Sequence, residues 1–139
     1  MAKNVNQLRR NPKTVTPQEQ EVVKNLLVKV NKKAVETCGH AKERLEERGL
    51  TVEQLQDVLT NANYNRVVEL SIAPRNNVFE PRMVITSEKV YGTGRGRYRV
   101  AVVVNCHTLG VVTTYKAFLT NNYKPITNDN FNFANYFTK

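Results

Sequence analysis

His40, Arg44 and Arg48 recur at i, i+4 and i+8, a spacing that stacks three side chains on one face of a helix. Like charges placed this way repel by roughly a few tenths of a kcal/mol per pair unless acids or a bound anion compensate. A phosphate supplies such compensation, and a histidine beside a phosphate can move protons near neutral pH. Glu43, Glu46 and Glu47 offer the other account, in which they neutralise both arginines and the face is simply solvated.

Arg95, Arg97 and Arg99 alternate, so an extended segment lines them along one side, with Tyr91 and Tyr98 flanking. A basic stripe with interleaved aromatics suits single-stranded RNA, through phosphate contacts and base stacking. The competing account is a hairpin edge whose positive residues discourage strand addition. Gly92, Gly94 and Gly96 make no Walker loop, since no Lys-Ser/Thr follows and no helix begins there, and are read as a flexible connection. Cys38, His40, Cys106 and His107 supply the residue types of a zinc site, but C-x-H and C-H spacings chelate one ion poorly. Neither a metal nor a cofactor is expected. The acids cluster at residues 43–57, where a solvated helix face accounts for them, and no nucleophile motif is present.

These residues sit in a chain of 139 residues and 15.9 kDa, the size of one domain with tails. Lys and Arg number 21 against 12 Asp and Glu, a formal charge of +9, which favours nucleic acid, anionic lipid or an acidic protein as partner. The excess is uneven: +5 over residues 1–37, −2 over 38–61 and +6 over 62–139. No apolar run approaches the roughly 18 residues needed to span a bilayer, so no membrane segment is expected. Met1-Ala2-Lys3-Asn4-Val5-Asn6 has a basic start with no hydrophobic segment behind it, unlike a signal peptide. Two cysteines are too few for a secreted disulfide scaffold, and a cytoplasmic location is expected.

The elements that must position the candidate residues follow from periodicity. Residues 1–15, with Arg9, Arg10 and Lys13, are polar and without period, and read as a basic arm available to nucleic acid. Thr16-Pro17-Gln18-Glu19 is a capping box opening a first helix through Val23, Leu26, Leu27, Val30 and Ala34, to about residue 35. A second helix is expected over 40–48, stopped by Gly49. Thr51-Val52-Glu53-Gln54 opens a third through Val52, Leu55, Val58 and Leu59. From Arg66 the period is two, with Val68, Leu70 and Ile72 on one face, a turn at Pro74-Arg75-Asn76-Asn77, and a second strand over 82–86. Residues 97–105 and 111–118 form the two clearest strands, joined as a hairpin. In the last strand Thr114 and Lys116 share one face with Val112 and Phe118, and Thr113 and Tyr115 the other. Helices followed by antiparallel strands make an α+β domain over residues 16–119, with four strands. The Asn-rich residues 120–139 hold enough aromatics to predict a tail docked on the core.

The run His40-Ala41-Lys42-Glu43-Arg44-Leu45-Glu46-Glu47-Arg48-Gly49-Leu50-Thr51 resembles the opening motif of the DUF4258 family. Those domains are similar to the RelE/ParE-like and barnase–EndoU–colicin–RelE toxin ribonucleases. Arg99-Val100-Ala101-Val102-Val103-Val104-Asn105 and Val111-Val112-Thr113-Thr114-Tyr115 resemble that family's closing hairpin, so the resemblance covers about residues 38–118. It implies a RelE/barnase-like sheet and metal-independent RNA cleavage by attack of the 2′-hydroxyl on the adjacent phosphate. It also implies His40 as acid/base, Arg44 as phosphate clamp with Arg48 second, and Tyr115 as proton donor or stacking residue. Arg95, Arg97, Arg99 and Lys116 would bind the RNA. The other classes are a non-catalytic nucleic-acid-binding module on the same fold, or an inhibitor docking on an acidic host protein. A toxin-like domain also implies a protein antitoxin as partner. Oligomeric state is left open.

Overall fold

The structure, a computed structural model, describes residues 8–38, 42–75, 78–120 and Phe133. The first helix, α1 (Pro17–Cys38), begins at the expected capping box. Glu19 N donates to Thr16 Oγ1 at 3.2 Å, and Thr16 N donates back to the Glu19 carboxylate at 3.0 Å. Its inward stripe buries Val23, Leu26, Leu27 and Val30. α2 (Lys42–Glu47) is short, and α3 (Val52–Thr60) is opened by the second capping box, between Thr51 and Gln54. Asn31 of α1 donates its amide to Leu59 O, Thr60 O and Ala62 O at 2.7, 2.9 and 3.3 Å. One side chain of α1 thus satisfies carbonyls that the end of α3 leaves without intrahelical partners.

The sheet is antiparallel throughout, and its spatial order is its chain order: β1 (Leu8–Arg10), β2 (Val67–Arg75), β3 (Val78–Thr86), β4 (Tyr98–Asn105) and β5 (Val111–Phe118). Five strands stand where four are expected. The additional one comes from the segment read as an arm: Leu8, Arg9 and Arg10 pair with Ile72, Ser71 and Leu70. Three residues are too few to display a period of two, so the pattern could not reveal the strand.

The helices pack on the sheet face that carries Leu70, Ile72, Met83, Ile85, Val100, Val102 and Val104, all inside one core with Leu45, Leu55 and Leu59. Phe133 belongs to that core and is fully buried. The remainder of the aromatic-rich tail lies outside the described residues. Two bulges change which residues face inward. A register shift between Val67 and Glu69 puts Val67 in the core and leaves Val68, read as inward-facing, 41% exposed. A second shift, between Val103 and Val104, pairs Val104 with Val111 and Val103 with Thr113, so Val112 is the extra residue. Among the described residues no helix is long and apolar enough to cross a membrane.

Candidate functional site

Because neighbouring strands run in opposite directions, the start of β2, the end of β3, the start of β4 and the end of β5 meet at one end of the sheet. That end gathers Arg66, Lys89, Arg95, Arg97, Arg99 and Lys116. None of these six forms an ion pair among the described residues, whereas Arg9, Arg10 and Arg82 do. Arg9 faces Glu69 at 3.9 Å, Arg10 is bound to Glu19 at 3.0 Å, and Arg82 meets Glu80 at 2.7 Å. The two arginines of the expected arm are therefore matched by carboxylates of the same chain. Lys13, Lys24, Lys29 and Lys32 are exposed on the N-terminal turn and on α1, as on any solvated helix face.

The glycine-rich segment between β3 and β4 is a closed loop rather than a flexible connection. Tyr91 N donates to Tyr98 O at 2.8 Å and Tyr98 N to Tyr91 O at 2.9 Å, which clamps the two ends of residues 92–97 together. Inside it Gly96 N donates to Thr93 O at 3.0 Å, and the Arg97 side chain donates to Gly94 O at 3.2 Å. Gly92 has φ +84°, and a Cβ there would stand 2.7 Å from Gly96 O, so glycine is required. The loop holds Arg95 and Arg97 in solvent.

At its base the Tyr91 and Tyr98 rings stack with centroids 5.9 Å apart and planes 29° apart. The Lys116 ammonium lies 4.8 Å from the Tyr98 centroid, and Phe118 meets the same ring edge-on at 6.0 Å. Gln54 of α3 donates to the Tyr98 hydroxyl at 3.2 Å. Burial, and then the Asp57 carboxylate, hold the Tyr91 hydroxyl above the ordinary tyrosine range, so it remains a neutral donor. Tyr98 is thus fixed from several sides, and Tyr91 is its half-exposed outer partner. Such an arrangement can contact phosphates with its cations and offer an aromatic ring to a base.

The alternating stripe does not form as one line. Arg95 lies in a 3₁₀ turn (Gly94–Gly96), while Arg99 bends to donate to Ser87 O and Glu88 O at 2.9 and 2.8 Å. Alternation assumes an extended backbone, and the closed loop supplies none.

The helical triad is only partly in view. His40 lies outside the described residues. Arg44 is in α2, with its side chain beyond what the structure describes. Arg48 follows α2 and reaches the edge of β5, where its Nη1 donates to Thr113 Oγ1 at 2.5 Å and to Thr114 O. Thr113 shares its sheet face with Tyr115, which is 40% exposed, whereas Thr114 and Lys116 face the helices. Arg48 is therefore brought to the strand that carries Tyr115.

Cys106 is buried in the core, and burial pushes its thiol far above the ordinary range, while His107 is exposed in the turn beside it. These two neighbours do not converge. No cluster of three or more His, Cys, Asp or Glu is placed to hold a metal among the described residues.

Fold and site together define a small basic α+β protein with a cationic, tyrosine-based sheet end. No protein-family model, curated protein or solved structure matches the chain. Arg66 and Lys89 escaped the sequence reading, because each is a single cation at a strand end and only the pairing of strands groups them with the loop.

Proposed function

We propose that this chain binds single-stranded nucleic acid at the end of the sheet built around the Tyr91–Tyr98 loop. The carrying observation is a sheet end that collects six cations, none in an ion pair among the described residues, beside a stacked tyrosine pair, whereas Arg9, Arg10 and Arg82 each meet a carboxylate. Phosphates answer the uncompensated charge, and the outer face of Tyr91 suits a base. Fluorescence anisotropy with short RNA and DNA oligonucleotides over a range of salt tests this. Binding should weaken with salt by about 0.7 log units per log unit for each phosphate neutralised. Arg95→Ala/Arg97→Ala should make that slope shallower by about 1.4. A flat salt dependence, or an unchanged slope in the double variant, overturns the reading.

A second reading is metal-independent RNA cleavage by a RelE/barnase-like domain, with His40 as acid/base, Arg44 and Arg48 on the phosphate, and Tyr115 as donor or stacking residue. It is supported by the reach of Arg48 to Thr113, on the face and strand of Tyr115. In this reading a protein antitoxin is the partner. Incubation with total RNA in EDTA distinguishes the two readings: cleavage abolished by His40→Ala supports it, and intact RNA with the wild-type protein removes it.

A further inference from the structure

Arg66, at the close of the 3₁₀ turn Tyr64–Arg66, and Arg99, near the start of β4, come from distant parts of the chain and point at one backbone oxygen. Arg99 Nη1 donates to Ser87 O at 2.9 Å and Glu88 O at 2.8 Å; Arg66 Nη1 donates to Ser87 O at 3.3 Å. Arg66 Nε donates to Asn65 O at 3.3 Å. Both side chains are half-buried, and neither meets a carboxylate among the described residues. Two guanidiniums that share an acceptor are held close together, and backbone carbonyl dipoles do not neutralise two full charges. Each guanidinium carries five N–H donors in a planar fork. Nη2 of both arginines and Nε of Arg99 have no hydrogen-bond partner among the described residues.

The turn they address is tied down by hydrogen bonds. Ser87 is buried; its N–H donates to Val100 O at 2.9 Å, its Oγ accepts from Val100 N at 3.0 Å, and its hydroxyl donates to Lys89 O at 2.7 Å. Thr86 Oγ1 donates to Arg66 O at 3.2 Å, anchoring the arginine backbone to the same turn. Glu88 supplies the neighbouring negative charge; it is exposed, and its carboxylate accepts from Asn63 Nδ2 at 3.1 Å. A fixed turn with two converging forks and spare N–H donors matches the tetrahedral oxygens of a phosphate, which guanidinium groups bind through paired hydrogen bonds.

We propose that Arg66 and Arg99 form a subsite for one phosphate group at the Ser87–Glu88 turn. The phosphate is a phosphodiester of a bound strand or a free phosphate or phosphate monoester. Only the first source rests on the nucleic-acid reading above; the subsite itself does not.

The test is a titration of the full chain with inorganic phosphate at constant ionic strength, following the arginine Nε–H resonances by NMR. Saturable shifts at Arg66 and Arg99 are expected. Arg99→Lys keeps the charge and loses the fork, and should weaken the affinity about tenfold. Glu88→Gln removes an exposed negative charge while keeping the Glu88 backbone carbonyl and a side-chain acceptor for Asn63 Nδ2, and should tighten it by about threefold. Unsaturated shifts, or equal affinity in wild type and both variants, overturn the subsite. A single-stranded oligonucleotide forms the second arm. Shifts at Arg66 and Arg99 with the oligonucleotide assign a phosphodiester; shifts at Arg95 and Arg97 alone, with inorganic phosphate still binding, assign a free phosphate source. Oligonucleotide binding with no response to inorganic phosphate leaves the nucleic-acid reading intact and rejects the subsite.

Discussion

Nη1 of Arg10 donates to both carboxylate oxygens of Glu19, at 3.1 and 3.0 Å, and Glu19 is closed off from solvent. The same carboxylate accepts from Thr16 N at 3.0 Å and from Phe133 N at 2.8 Å. Arg10 also donates through Nη2 to Thr14 O at 2.9 Å. A single buried charge therefore joins β1, the start of α1 and a core residue more than a hundred positions away. Tyr64, whose hydroxyl donates to Pro12 O, lies beside this pair; burial, and then the Glu19 charge, raise its pKa and keep it protonated.

Removing one partner of this pair leaves the other without its counter-charge in a largely buried site. Glu19→Ala should cost about 3 kcal/mol in urea unfolding, and Arg10→Ala a comparable amount. The double variant should lose clearly less than the two single losses together, because the second substitution relieves the stranded charge. Strictly additive losses would show that the two residues act separately.

The closed arginine loop depends on glycine at one position more than at its neighbours. Gly92→Ala combines a positive φ with a contact at 2.7 Å to the Gly96 carbonyl, and should destabilise the protein by about 2 kcal/mol. Gly96→Ala meets nothing within 4 Å and has no positive φ, so its thermal midpoint should stay near that of the wild type. Equal midpoints for the two variants would show that the loop is not clamped as described.

Gly49 ties α2 to the tyrosine base. It has φ +71°, and a Cβ there would stand 3.0 Å from Lys116 Nζ, the group that lies over Tyr98. Gly49→Ala should cost about 1 kcal/mol and shift the Tyr98 ring resonances as Lys116 is displaced. Tyr98 resonances that do not move would indicate that Lys116 is not held against Gly49.

Glu69 carries the clearest pH signature. Burial raises its carboxyl pKa more than the Arg9 charge lowers it, so the native chain holds this proton more tightly than the unfolded chain. The contribution of this group is fully present below the unfolded value, near pH 4, and is lost as pH rises through the higher folded value. Glu69→Gln should therefore be more stable than wild type at pH 7, by up to about 1 kcal/mol given its partial solvation, with the gap closing toward pH 4. A variant less stable at pH 7 would mean that pairing with Arg9 outweighs burial.

Much of the helical layer was legible in the residues. Thr16 with Glu19 and Thr51 with Gln54 are local capping signals that act within one turn, and both caps form as expected. The β4–β5 hairpin follows likewise from two eight-residue strands rich in β-branched residues on either side of a short turn. β1 was not legible, since its three residues become a strand only by pairing with β2, and neither bulge leaves a mark in the pattern. For the site, Arg95, Arg97, Tyr91, Tyr98 and Lys116 could be named from residue type and spacing. Their separation from Arg9 and Arg10 could not, because it depends on which cations find a carboxylate in the folded chain.

By itself, the sequence determined the capped starts of α1 and α3, the two long hairpin strands, the α+β class and the excess of positive charge, all of which depend on residues within a few positions of one another or on composition. Tertiary structure alone decided which cations are neutralised, which end of the sheet collects the rest, and that Arg66 and Arg99 meet at Ser87. Those outcomes depend on strand register and on partners tens of residues apart, brought together only when the core around Leu70, Ile85 and Val102 closes.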